Sequence, residues 1–160
     1  MKLSKLLAAD QIVLDMKSEQ HWPAIVELVD HLVNQQRLPQ EYRESTLDAL
    51  KTREEMISTG VGAGVAIPHT FLDHIENVTA IFGRSVTGID FESLDQTPVH
   101  FIILFLVPQK NYQLHLHTLA AIAKMFARSE IRQCLHDATS AEQILAAFDC
   151  KSLQTTEVGA

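Results

Sequence analysis

The stretch Val99-His-Phe-Ile-Ile-Leu-Phe-Leu-Val107 is apolar at every position but one and rich in branched and aromatic residues. A half-buried strand alternates apolar with polar residues, so an unbroken run of this length reads as a central strand buried on both faces. Pro108 ends it by removing a backbone donor. A strand of this kind needs apolar cover on each side. The rest of the chain supplies it by mixing helical and extended segments, which predicts an α/β sandwich: one domain with a mixed β-sheet flanked by helices on both faces.

The covering segments are legible from periodicity. Ile12–Met16 and Val78–Arg84 read as further strands, the second followed by a turn around Thr87-Gly-Ile-Asp90. Ser18 is the expected N-cap of a helix that carries Trp22, Ile25, Val26, Val29, Leu32 and Val33 on one stripe, with Pro23 in its first turn. Pro39 opens a second helix over Gln40–Glu54, with Tyr42, Leu47 and Leu50 on its apolar side. Helices are expected again over Gln113–Ala127, Glu130–His136 and Ala141–Phe148. Residues 1–150 form the expected domain, and 151–160 lose apolar periodicity and read as a frayed tail.

Composition excludes several classes of function. With 160 residues the chain is sized for one domain, and 46% hydrophobic with 21% charged residues is a globular balance. A formal net charge of −7 argues against nucleic-acid binding, which needs clustered Lys and Arg to neutralise phosphates. Cys134 and Cys150 make no metal-type spacing and read as reduced thiols. Met1-Lys-Leu-Ser-Lys-Leu-Leu7 soon meets Asp10 and does not read as a signal peptide. Phe101–Val107 is too short to span a membrane, so the expected location is the cytoplasm.

The segment Ser58-Thr-Gly-Val-Gly-Ala-Gly-Val-Ala-Ile-Pro-His-Thr70 invites a phosphate-loop reading, and the residues refuse it. A nucleotide P-loop needs a lysine after its last glycine, and no Lys or Arg lies between Arg53 and Arg84. A dinucleotide fingerprint needs a different glycine spacing and a helix afterwards, which Val-Ala-Ile-Pro does not start. A glycine-rich loop entering a short buried strand remains. Pro68 fixes its own φ and keeps Ile67 extended, so His69 leaves the segment in a defined direction, as a structural residue or as a nucleophile or base.

A helical wheel over 113–127 puts His115, Leu119, Ile122 and Phe126 on the stripe facing the protein, and His117 beside Lys124 and Arg128 on the solvent side. The two histidines therefore cannot share a metal from within a helix, and no Cys or carboxylate set completes a site. His115 is either a core histidine or a second functional group near a helix N-terminus.

Taken together, Thr52-Arg53-Glu54-Glu55-Met-Ile-Ser-Thr-Gly-Val-Gly-Ala-Gly-Val-Ala-Ile-Pro-His69, Asp90-Phe91, Val107-Pro108 and His115-Leu-His-Thr-Leu119 resemble the enzyme IIA domain of the phosphoenolpyruvate phosphotransferase system, fructose/mannitol type, and most closely its nitrogen-related regulatory branch. The resemblance covers about residues 3–149. It implies that His69 accepts a phosphoryl group on Nε2 from an HPr-like phosphocarrier protein. It further implies that Arg53 contacts the phosphate and that His115 is the second active-site histidine. No cofactor and no metal are implied. The glycines would let backbone pass close to the phosphorylated imidazole, and Val61, Val65, Phe71 and Leu72 are candidates for a carrier-docking surface, Val65 reading rather as core. Asp73 and Glu76 read as solvated charges. A regulatory phosphoprotein that binds targets according to its phosphorylation state is the expected function. A separate-chain sugar-transport IIA component, passing phosphate to a IIB cysteine, and a binding module never phosphorylated are the alternatives.

Overall fold

The apolar run becomes β6, Val99–Pro108, and its side chains divide by parity between two cores. A computed structural model describes residues 3–56 and 58–148; the expected tail at 151–160 and Cys150 lie outside them. In chain order the elements are β1 (Ile12–Val13), α1 (His21–Asn34), α2 (Arg43–Met56), β2 (Gly60–Gly62), β3 (Val65–Ala66), β4 (His69–Leu72), β5 (Thr79–Ile89), β6, α3 (Tyr112–Phe126), α4 (Ser129–Asp137) and α5 (Ala141–Phe148). The sheet runs β1-β5-β6-β3-β2, with β4 also on β6. Pairing is mixed: β1 with β5, and β3 and β4 with β6, are parallel, whereas β5 with β6 and β2 with β3 are antiparallel.

Successive strand side chains point to opposite faces. Phe101, Ile103, Phe105 and Val107 therefore meet Phe126, Ile131, Leu135, Ile144 and Phe148 from α3, α4 and α5. Ile102, Leu104 and Leu106 meet Ile25, Leu28, Leu32, Leu47 and Leu50 from α1 and α2 on the other face. The α/β sandwich with helices on both faces is the observed architecture.

Three local expectations are corrected. Ser18 is not the N-cap of α1. That position is Gln20, which is held extended by a bridge to Asp90, so the helix cannot begin before it. The Ser18 amide instead donates to Glu27 Oε1 at 2.9 Å, and its hydroxyl donates to the Pro23 carbonyl at 3.2 Å. The turn expected at 87–90 is a bulge inside β5: Arg84 pairs with Phe101 and Ile89 with Val99, so five steps on one strand oppose two on the other. Gly88 absorbs the excess with φ 98°. The first strand is shorter than expected, pairing only at Ile12 and Val13.

Candidate functional site

β3 and β4 lie end to end along one edge of β6, interrupted at Ile67-Pro68. Val65 and Ala66 pair with Phe101 and Ile102, and His69 resumes the ladder opposite Phe105. Proline has no N–H for a ladder, but its carbonyl accepts from the Phe105 amide at 2.9 Å, so the break costs little pairing. The break frees Ile67 to face elsewhere. Its N–H donates to the Thr59 carbonyl at 3.0 Å, and its carbonyl accepts from His69 Nδ1 at 2.9 Å.

That last bond sets the chemistry of His69. A carbonyl only accepts, so Nδ1 carries the proton, and the lone pair of the neutral ring is on Nε2. Burial lowers the pKa of His69 below its ordinary value, and the positive charge of Arg53 adds to the effect. The bond to Ile67 and the Glu54 carboxylate oppose it without reversing it. The half-buried imidazole is neutral at pH 7.

Arg53, in the last turn of α2, and His69 line one depression of about 300 Å³, with Ser58, Thr59, Val61, Ile67, Leu119, Ala120 and Ala123. His115 does not line it. At 4% exposure it lies behind, its ring 5.0 Å from Phe105 and 6.2 Å from Phe71, while Phe71 in turn sits 6.3 Å from His69. The Nε2 of His115 is buried with no hydrogen-bond partner among the described residues. Burial, and then the charge of a protonated His69, lowers its pKa to about 4. His117 is exposed, as the wheel predicts. The depression thus offers a nucleophilic nitrogen and a fixed cation, and an imidazole with an unused polar atom is packed behind it.

The glycines have a different role from the expected one. β2 and β3 form a hairpin whose two-residue turn, Ala63-Gly64, has φ 57° and 80°, and positive φ at both positions is what such a turn requires. A Cβ on Gly60 would sit 2.2 Å from Ser93 Oγ, and Asp95 Oδ2 accepts from the Ala63 amide at 3.2 Å. The glycine stretch therefore packs against the 93–98 loop, and is not a clearance around the imidazole. Of the expected docking residues, Val61 is exposed and Phe71 half-buried, whereas Val65 and Leu72 are core. Asp73 and Glu76 are exposed.

Sequence reasoning missed a polar network beside the site. Glu54, 9% exposed, accepts from the Thr59 amide at 3.2 Å and from the Thr59 hydroxyl. His21 Nε2 lies 2.7 Å from Glu54 Oε2, and His21 Nδ1 lies 3.3 Å from Glu92 Oε2. Burial works against a charge on His21, but the two carboxylates outweigh it and raise its pKa. Glu54 follows Arg53 directly in the quoted motif, and that adjacency was the available signal; nothing local marks His21.

Among the described residues no three His, Cys, Asp or Glu side chains are grouped to hold a metal ion, and no helix is long and apolar enough to cross a membrane. The model of the family described as phosphoenolpyruvate-dependent sugar phosphotransferase system, EIIA 2, matches residues 5–150. A PTS system fructose-specific EIIABC component of Bacillus subtilis is 34% identical over 145 residues, which are 91% of this chain but only 22% of that longer protein. A nitrogen regulatory protein of Bradyrhizobium diazoefficiens is 32% identical over 144 residues, 90% of this chain and 92% of that protein. The solved structure of nitrogen regulatory protein IIA-Ntr from Neisseria meningitidis matches with a TM-score of 0.83 and 31% identity, over 91% of this chain and 98% of that one.

Proposed function

This chain belongs to the EIIA 2 family of the phosphoenolpyruvate-dependent sugar phosphotransferase system, and on that footing we propose that it is a cytoplasmic phosphoprotein that accepts a phosphoryl group on His69 Nε2 from an HPr-like carrier. The observation that carries this reading is the bond from His69 Nδ1 to the Ile67 carbonyl, which leaves the lone pair of a neutral imidazole on the nitrogen that attacks. In the transfer, the Nε2–P bond forms as the N–P bond of the carrier phosphohistidine breaks, and the electron pair of that bond returns to the carrier nitrogen. Arg53 neutralises charge on the equatorial oxygens, and His115, whose Nε2 is buried in the free protein, donates to a phosphoryl oxygen only once the site rearranges to admit it. The nitrogen regulatory proteins of Bradyrhizobium diazoefficiens and Neisseria meningitidis, matched over 92% and 98% of their length, favour a role in which the phosphorylation state alters binding to regulated proteins, nitrogen and potassium control being the setting that the family resemblance suggests.

A sugar-transport IIA component that passes phosphate to a IIB cysteine is the second reading, favoured by the fructose-specific relative. Incubation with phosphoenolpyruvate, enzyme I and an HPr-like carrier is expected to add one acid-labile phosphoryl group to the intact protein and none to His69→Ala. A gain that survives the substitution would overturn the assignment. Arg53→Ala is expected to slow the transfer about 100-fold, the loss of about 3 kcal/mol from a preorganised charged donor, with the fold intact. Rapid passage of the phosphate to a fructose-type IIB cysteine would select the transport reading.

A further inference from the structure

The hydrogen bond that orients His69 is the last link of a longer chain of bonds. Working back from it, Ile67 is held at both of its backbone groups: its carbonyl accepts from His69 Nδ1, and its amide donates to the Thr59 carbonyl. Thr59 is 4% exposed and is itself held twice, its amide and its hydroxyl both donating to the Glu54 carboxylate. Glu54 follows Arg53 directly in α2, so the same helical turn that supplies the cation also anchors this chain of bonds.

A carboxylate this deeply buried needs a counter-charge, because desolvating an unpaired anion is costly. His21, the first residue of α1, provides it at 2.7 Å. The other charged groups around His21 are Lys51 and Glu55 from α2 and Glu92 from the loop after β5, and the Glu92 carboxylate binds the second imidazole nitrogen. The raised pKa of His21 and the packing of its ring against Phe91, centroids 4.1 Å apart and tilted by 38°, fit an ordered cationic partner. Elements distant in the chain thus converge on one peptide carbonyl.

We infer that Glu54 and Thr59 are positioning residues for His69, acting through Ile67 to keep the proton on Nδ1 and the nucleophilic lone pair on Nε2, with His21 as the partner that holds the Glu54 carboxylate in place. The inference rests on His69 being the phosphoacceptor. It assigns Glu54 a second effect as well, since its negative charge supports the basicity of the imidazole against Arg53. Without the anchor, the Thr59 carbonyl that holds the Ile67 amide is itself free to shift. The Ile67 carbonyl then drifts, and the neutral ring populates the other tautomer, in which Nε2 carries a proton and cannot attack.

The experiment combines ¹⁵N NMR of His69 in the free protein with the rate of phosphoryl transfer from the HPr-like carrier, in wild type, Thr59→Val, Thr59→Ser and Glu54→Gln. Thr59→Val is expected to shift the His69 nitrogens toward a mixture of tautomers and to slow transfer at least about tenfold, which is about 1.4 kcal/mol on the barrier. Thr59→Ser, which keeps the hydroxyl, is expected to restore both readouts. Glu54→Gln, which reports even if Thr59→Val does not fold, is expected to lower the His69 pKa further. A wild-type tautomer and rate in Thr59→Val, or an unchanged His69 titration in Glu54→Gln, would overturn the relay. Wild-type protein that takes no phosphate while its His69 tautomer still responds to Thr59→Val would instead overturn the phosphoacceptor reading and leave the relay standing.

Discussion

Acidification in the absence of any ligand is a direct probe of the buried second histidine. His115 is 4% exposed, and its pKa falls from the ordinary 6.5 to about 4 in the folded chain. The folded value lies below the unfolded one, so as pH drops the unfolded chain takes up the proton first. The stability that neutral His115 secures is therefore complete above pH 6.5, shrinks as pH falls, and is gone by about pH 4. Linkage puts the loss at about 2 kcal/mol by pH 5 and about 3 kcal/mol at its limit. Urea unfolding at about pH 7.5, 6 and 5, on wild type and on His115→Gln, reads this loss, together with its coupling to His69, apart from the remaining titrating groups. The stability gap between the two proteins is expected to change by about 2 kcal/mol in disfavour of wild type between the first and last conditions. A gap that does not move with pH, or a His115 ring that titrates near 6.5 by NMR, would refute the reasoning.

Two further predictions concern packing in the scaffold. Arg84 is 7% exposed and donates to the carbonyls of Leu14, Leu135, His136 and Ala138, which ties the C-terminal end of α4 to the sheet. Arg84→Met is expected to cost about 2–4 kcal/mol in equilibrium denaturation, because several buried carbonyls lose a charged donor at once. At Gly60 an added methyl meets Ser93 Oγ at 2.2 Å and Ser93 Cβ at 2.9 Å. Gly60→Ala is expected to cost about 1–3 kcal/mol, partly recovered in the Gly60→Ala/Ser93→Ala pair, measured by thermal unfolding.

Much of this architecture was legible because it follows from local periodicity. The Val99–Val107 run required two covering layers, and parity along β6 then assigned each side chain to one of them. The wheel over α3 turned His115 inward and His117 outward, since a helix of 3.6 residues per turn leaves no other choice once Ile122 and Phe126 face the core. What failed had long-range causes. Gly88 reads as a turn, yet β6 holds the chain on both sides of it and makes it a bulge. Ser18 is a good cap by type, but the bridge between Gln20 and Asp90 decides where α1 begins. The three glycines looked like space around an imidazole, and they are a hairpin turned onto the 93–98 loop.

The sequence by itself determined the sandwich, the strand at its centre, and the direction in which Pro68 delivers His69. The tertiary structure decided the tautomer of that histidine. Which nitrogen holds the proton depends on where the Ile67 carbonyl points, and that depends on Thr59, Glu54 and His21, the last two 33 positions apart in the chain. The bond between His21 and Glu54 joins residues with no common period, so it comes into existence only when α1 packs beside α2.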